Sequence, residues 1–362
     1  MIEIFGPTYR YNGEVLTSPE IIYILDHHYD EEAQCFHVKQ LLENSTCDPK
    51  EHILLFNHVN HEDELKEYQC LCLPIFLAVE AEEFKQQNIQ RDWSNKTHTF
   101  NFMINKPRRH RELLLLLVEH FKLSNYTHTL PWANTNISRR DLTAATQNTL
   151  YQDIIANTQI NIPLTDYKFG PETKMEKGIK NGSFKNSETY QGLLQKNIFE
   201  PSCISLITEP TFFEKETMHT EKSIMAMYGG TLPIWIGGWR LADYLTSMGF
   251  DVFDDIIDHS YQNMLDPTDR CYYAFEKNLD LLRDFDRVKE FIANNQTRLE
   301  HNIKLLNDNI FLEDCFNKIE HYTGRVKEVL KIIVPEYRHN MFSPYRSLKD
   351  YRLLGNAPAG AL

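Results

Sequence analysis

The chain has 362 residues, 42% of them hydrophobic and 12% aromatic, and carries a formal net charge of -13. That length and composition suit a globular protein of two ordinary domains and exclude a disordered chain. The acidic balance argues against general nucleic-acid binding, which needs a basic face. Residues 1–6 (MIEIFG) lack the basic and apolar regions of a secretory leader, and no apolar run approaches the roughly 18 residues of a membrane span, so neither is expected. Seven scattered cysteines, an odd number, read as free thiols of a reducing, cytoplasmic compartment.

In chain order, residues 21–25 (IIYIL) read as a strand or short helix, and residues 52–56 (HILLF) as a strand. A buried run follows at 71–79, interrupted by Pro74. Strands separated by helix-length gaps predict βαβ units and an α/β fold. A second such unit begins with a strand at 99–104, a turn at 105–108 and a helix over 109–123, whose stretch 113–118 is too apolar for a solvent face. Another helix is expected around 139–157, and the Gly-, Lys-, Asn- and Pro-rich stretch 161–188 reads as a long loop. Residues 203–207 (CISLI) form a short buried strand. A helix from Thr220 then ends at Gly229 and Gly230, and a β-rich run covers 232–236. Residues 249–258 (GFDVFDDIID) read as strand then turn. Leu282, Phe285, Val288 and Phe291 recur every third residue, a helical pattern, and further helices are expected up to residue 334, with an irregular tail beyond.

Three constellations can carry chemistry. Thr220, Glu221 and Lys222 open a helix, where a lysine meets phosphate with its own charge while the helix N-terminus adds oriented N–H groups and the favourable end of the dipole. Glu209 follows a strand end just upstream and is a candidate for ribose or sugar hydroxyls. Lys106, Arg108, Arg109 and Arg111 surround a strand–turn–helix junction, where open α/β sheets bind ligands, and arginine forks match phosphate oxygens. The third set, in the first third of the chain, offers general-base candidates: Asp26, His58 and Glu80. Metal patterns are weak. Cys35 and His37, and Cys70 and Cys72, are separated by one residue rather than the two to four usual for zinc, and no Asp-x-Asp triplet is present. There is no Walker A loop, nucleophile elbow or dinucleotide glycine fingerprint, so hydride transfer and acyl hydrolysis lack support.

Taken together, residues 204–209 (ISLITE), 220–222 (TEK) and 226–237 (AMYGGTLPIWIG) resemble the donor-site motif of the α1,3-fucosyltransferases. That family reads Phe-Glu-Asn-Ser, a spacer, Tyr-x-Thr-Glu-Lys, a helix and Gly-Thr-x-Pro. The match covers about 60 residues, with weaker support from 99–123. The resemblance implies a GT-B fold: two Rossmann-like domains facing a central cleft, here with C-terminal helices. It divides the chain into an acceptor-side domain (1–96), a donor domain (97–285), helices (286–334) and a tail (335–362). It implies an inverting glycosyltransferase that moves a sugar, with fucose a candidate, from a nucleotide diphosphate donor, GDP favoured, to a glycan, protein or other hydroxyl acceptor without a metal. Glu221 then matches the family's ribose- or sugar-binding Glu and Lys222 its diphosphate Lys. Arg108, Arg109 or Arg111 matches a diphosphate Arg, and Glu209 the Glu of Phe-Glu-Asn-Ser. The chain departs from the pattern at Pro210 and Thr211, which replace Asn and Ser, and at Met218 and His219, which stand in place of the Tyr before Thr-Glu-Lys. The first third shows no match, so the family's catalytic base has no counterpart by position. The alternative reading is a non-catalytic nucleotide- or glycan-binding protein that keeps the donor cleft, for which donor binding without transfer is the distinguishing property.

Overall fold

The computed structural model describes residues 2–5, 21–24, 43–44, 53–56, 69–72, 81, 93–102, 109–129, 148–159, 198–209, 219–311, 313, 317 and 321. The chain divides into two compact units, one of residues 1–79 with 310–362 and the other of residues 80–309. Each contains a parallel four-stranded sheet. The α/β class expected from the sequence is what the structure adopts.

In the first unit β1 (Ile2–Phe5), β2 (Ile21–Ile24), β3 (Ile53–Phe56) and β4 (Gln69–Cys72) pair side by side in chain order. All three pairings are parallel. Residues 21–25 thus begin as a strand, and Cys70 and Cys72 both lie within β4, the alternative to a zinc pair.

The second unit is built on β5 (His98–Phe102), β6 (Thr127–Thr129), β7 (Ser202–Ile207) and β8 (Leu232–Trp235), again all parallel. Their order across the sheet is β6-β5-β7-β8. All six residues of β7 and all four of β8 are buried, so both faces are covered, as a parallel sheet requires. Pro233 lies in β8, an edge strand, where a missing N–H costs no ladder bond. Polar side chains inside the sheet are paired: Asn101 donates to Ser205 Oγ at 3.1 Å, and the Ser205 and Thr231 hydroxyls share a 2.7 Å bond.

Eight α-helices of this unit are described. α1 (Arg109–His120) carries Leu113 to Val118, every one at most 2% exposed, which is why that stretch is apolar all round. Each such leucine contributes about 2 kcal/mol by leaving water. α2 (Thr149–Asn157) is capped by Asn148, whose side chain accepts from Leu150 N–H. α3 (Glu221–Tyr228) leads into β8, and α4 (Leu241–Ser247) follows it. α5 (Pro267–Lys277), α6 (Leu279–Arg283), α7 (Phe285–Asn294) and α8 (Gln296–Asp308) complete the set. α7 packs on β5 and β7, α8 on α3, and α5 on α1. The every-third-residue pattern from Leu282 thus becomes two helices broken at Asp284, which caps α7 by accepting from Arg287 N–H.

Residues 249–252 do not form the expected strand. The backbone of Asp251 is taken instead by one side chain: Asn302 Oδ1 accepts from Asp251 N–H at 2.8 Å and Asn302 Nδ2 donates to Asp251 O at 2.7 Å. A carboxamide therefore occupies the place of a neighbouring strand. The chain then turns at Phe253, whose φ of 60° is unusual for a bulky residue. Arg298 fixes the turn, donating to both carboxylate oxygens of Asp251 and of Asp255 and lying 5.1 Å over the Phe253 ring. These bonds hold the Asp255 carboxyl below its ordinary value.

Candidate functional site

The chain runs from β5 outward to β6 on one side and returns to place β7 on the other. The strand order therefore reverses between β5 and β7. In open parallel sheets that reversal opens a crevice at the carboxyl ends of the strands, the usual ligand position. α1, whose first residue is Arg109, comes next in the chain after β5, and α3, whose first residue is Glu221, after β7. On α1, the His110 ring nitrogen Nε2 lies 2.8 Å from the backbone oxygen of Glu209, just past β7. Arg111, on the first turn of α1, is buried at 5% exposure.

Glu209 is the hub of a buried network. One oxygen accepts from the backbone N–H of Thr220 at 3.0 Å and from the Ser223 hydroxyl at 2.5 Å. The other accepts from the Thr220 hydroxyl. Trp235, at the end of β8, donates its indole N–H to Ser223 Oγ at 2.9 Å. Glu209 and Ser223 are 2% and 0% exposed. A carboxylate with three donors in a dry site is well satisfied, and its charge sits at the favourable end of the α3 dipole.

Thr220 is the N-cap of α3, and its hydroxyl also receives Lys222 Nζ at 3.1 Å. The ammonium of Lys222 is thus held close to the first turn of α3. His219 stacks on Tyr244 with ring centres 5.4 Å apart and meets the edge of Trp235 at 6.3 Å. His259 also lies 5.5 Å from Trp235, its Nε2 donating to Val252 O at 2.9 Å. Burial lowers the His259 imidazole below its ordinary value, with the Val252 bond opposing, so the ring is neutral near pH 7.

The turn after β8 is fixed from behind. The fully buried Arg270 donates from Nε to Gly237 O at 2.9 Å and from Nη1 to Met264 O and Leu265 O at 2.7 and 2.9 Å. Beside this turn a cavity of about 510 Å³ is walled by Asp243, Asp258, His259, Ser260 and Asn263. Its carboxylates suit hydroxyl or ammonium groups and repel phosphate. Among the described residues no cluster of three or more His, Cys, Asp or Glu is placed to hold a metal ion, and no helix is long and apolar enough to cross a membrane.

Comparison with profiles of known protein families, with characterised proteins and with solved structures finds no match.

The structure therefore brings Glu209 against the start of α3, the helix that carries Glu221 and Lys222, with Arg109 and Arg111 on helix α1. Asp26, His58, Glu80, Lys106 and Arg108 lie outside the described residues. Three participants escaped the sequence reading. His110 was hidden by the arginines around it. Ser223 and Trp235 carried no signal, because the partner of Ser223, Glu209, is 14 positions away and the partner of Trp235, Ser223, is 12 away in the chain. The threonine before Glu221 did carry one: a hydroxyl residue ahead of an apolar helix is an N-cap signature.

Proposed function

We propose that the crevice between the carboxyl ends of β5 and β7 binds the diphosphate of a nucleotide sugar, and that the protein is an inverting glycosyltransferase. The observation that supports this most is the position of the Thr220–Lys222 turn. It lies at the strand-order reversal of a parallel sheet, where a lysine ammonium and the arginines of α1 can converge on one anion. Cationic groups there stabilise the charge that develops on a departing diphosphate, which accelerates transfer. In this reading Lys222 and an arginine among Arg108, Arg109 and Arg111 hold the diphosphate, and Glu221 contacts ribose or sugar.

Glu209 acts at one remove. Its carboxylate is engaged by Thr220 and Ser223, so its part is to set the start of α3 and with it the direction of Lys222. The acceptor, a glycan, protein or other hydroxyl compound, would lose its proton to a base from the first third of the chain, with Glu80, His58 and Asp26 the candidates. The two parallel-sheet units would form the halves of a GT-B arrangement. GDP is the favoured nucleotide and fucose the candidate sugar, both on the strength of the motif, and the cytoplasm the expected compartment.

Lys222→Ala tests the reading. Lys222 is only part-buried and bonds locally to Thr220, so its loss should change stability by less than about 1 kcal/mol. Loss of one charged contact to a diphosphate should weaken GDP binding about tenfold to a hundredfold, measured by calorimetry. A folded Lys222→Ala protein that binds GDP and transfers sugar like the parent would remove Lys222 from the site.

A further inference from the structure

Thr208 follows the last residue of β7 and is 1% exposed. Its hydroxyl oxygen Oγ1 is shut off from solvent and has no hydrogen-bond partner in the protein. Other buried hydroxyls of the same region are engaged. Ser205 and Thr231 share a bond, Thr231 donates to Ala226 O, and Thr220 and Ser223 both donate to Glu209. A hydroxyl taken out of water without a partner is destabilising, and a valine of nearly the same shape would fill the position without that cost.

The direction of the Thr208 side chain follows from its neighbours. Side chains along a strand alternate between the two faces of the sheet. Odd positions face α3: Ser205 bonds Thr231, which bonds Ala226 of α3, and Glu209 bonds Thr220 and Ser223. Even positions face α1: Ile204 and Leu206 share one apolar core with Leu113 to Val118. Crossover handedness gives the same assignment. Parallel strands joined through a helix cross over right-handedly, and the connections from β5 to β6 and from β7 to β8 run in opposite directions across the sheet, so α1 and α3 lie on opposite faces. Thr208 continues the even row beyond Leu206, at the carboxyl end of β7. The first turn of α1 is beside it, since His110 contacts the backbone oxygen of the very next residue, Glu209. Arg109 and Arg111 belong to that turn.

We propose that Thr208 is a further contact of the anion site: its hydroxyl donates to a phosphoryl oxygen of the diphosphate, beside the arginines of α1. This contact rests on the nucleotide-sugar reading and adds to it a residue on the α1 side of the sheet, while Lys222 serves the α3 side. A phosphoryl oxygen supplies the acceptor that the protein does not, and a bond from a hydroxyl to a charged oxygen in a dry place is among the stronger ones.

The test compares the full chain with Thr208→Val and Thr208→Ser, using pyrophosphate and GDP as probes in calorimetry, and urea unfolding without either. Valine keeps the shape and removes a hydroxyl that bonds to nothing in the protein, so the unfolding midpoint should stay or rise. Affinity for both probes should fall about tenfold in Thr208→Val and stay within about twofold of the parent in Thr208→Ser. A parent that binds the probes, with a Thr208→Val protein that binds them equally well, would overturn the contact and leave the nucleotide-sugar reading standing. A Thr208→Val protein that unfolds at clearly lower urea would also overturn it, because the hydroxyl would then be serving the fold. A parent that binds neither probe would overturn the nucleotide-sugar reading, and this contact with it.

Discussion

Helix α3 is held at both ends by buried charge, and the two ends are built differently. At its start the charge is an anion, Glu209, matched by three donors from Thr220 and Ser223. At its finish the charge is a cation, Lys96, matched by the carbonyls of Ser202 and Gly229. Each sign complements the helix dipole at its own end. The anion is saturated with hydrogen bonds and forms a rigid seat for the turn that carries Lys222.

The largest effect should come from breaking the first end. Glu209→Leu leaves the Thr220 N–H, the Thr220 hydroxyl and the Ser223 hydroxyl without their acceptor in a dry site. It should cost about 4 kcal/mol in urea unfolding. Glu209→Gln keeps an acceptor and should cost less than half of that. Equal, small losses in both variants would show that the network is not what seats α3.

The second end should be nearly as sensitive to shape. Gly230→Ala places a methyl where the Trp93 ring lies and forces a side chain onto a left-handed backbone, for a loss of about 3 kcal/mol. A Trp93→Ala background should relieve the steric part, so the two substitutions should be strongly non-additive. Strict additivity would mean that the indole does not enforce the glycine. Lys222→Ala should have the smallest effect on stability of the three while having the largest on nucleotide binding.

Much of the fold could be read from the sequence because it rests on local patterns. The apolar runs at 52–56, 99–104, 203–207 and 232–236 overlap strands β3, β5, β7 and β8. The run of leucines in α1 announced its burial, and Gly229 and Gly230 the end of α3. What escaped was set by distant partners. Residues 249–252 have the look of a strand, but Asn302, some fifty residues on, takes the backbone bonds a strand partner would have made. The same holds at the candidate site. Thr220, Glu221 and Lys222 stand out by spacing. Nothing local reveals that Glu209 faces inward to Thr220 and Ser223, or that the strand order reverses between β5 and β7. Sheet order is a property of long-range pairing, and one sequence does not display it.

The most direct test of the central claim is thermal unfolding of the full chain in the presence of GDP, UDP, CDP, ADP or dTDP, with and without Mn²⁺. A ligand that binds only the folded protein raises its melting temperature by mass action. The account predicts a selective rise with GDP that does not depend on the metal and is lost in Lys222→Ala. No rise with any of the five nucleotides, in either condition, would contradict a nucleotide-sugar site at the β5–β7 crevice.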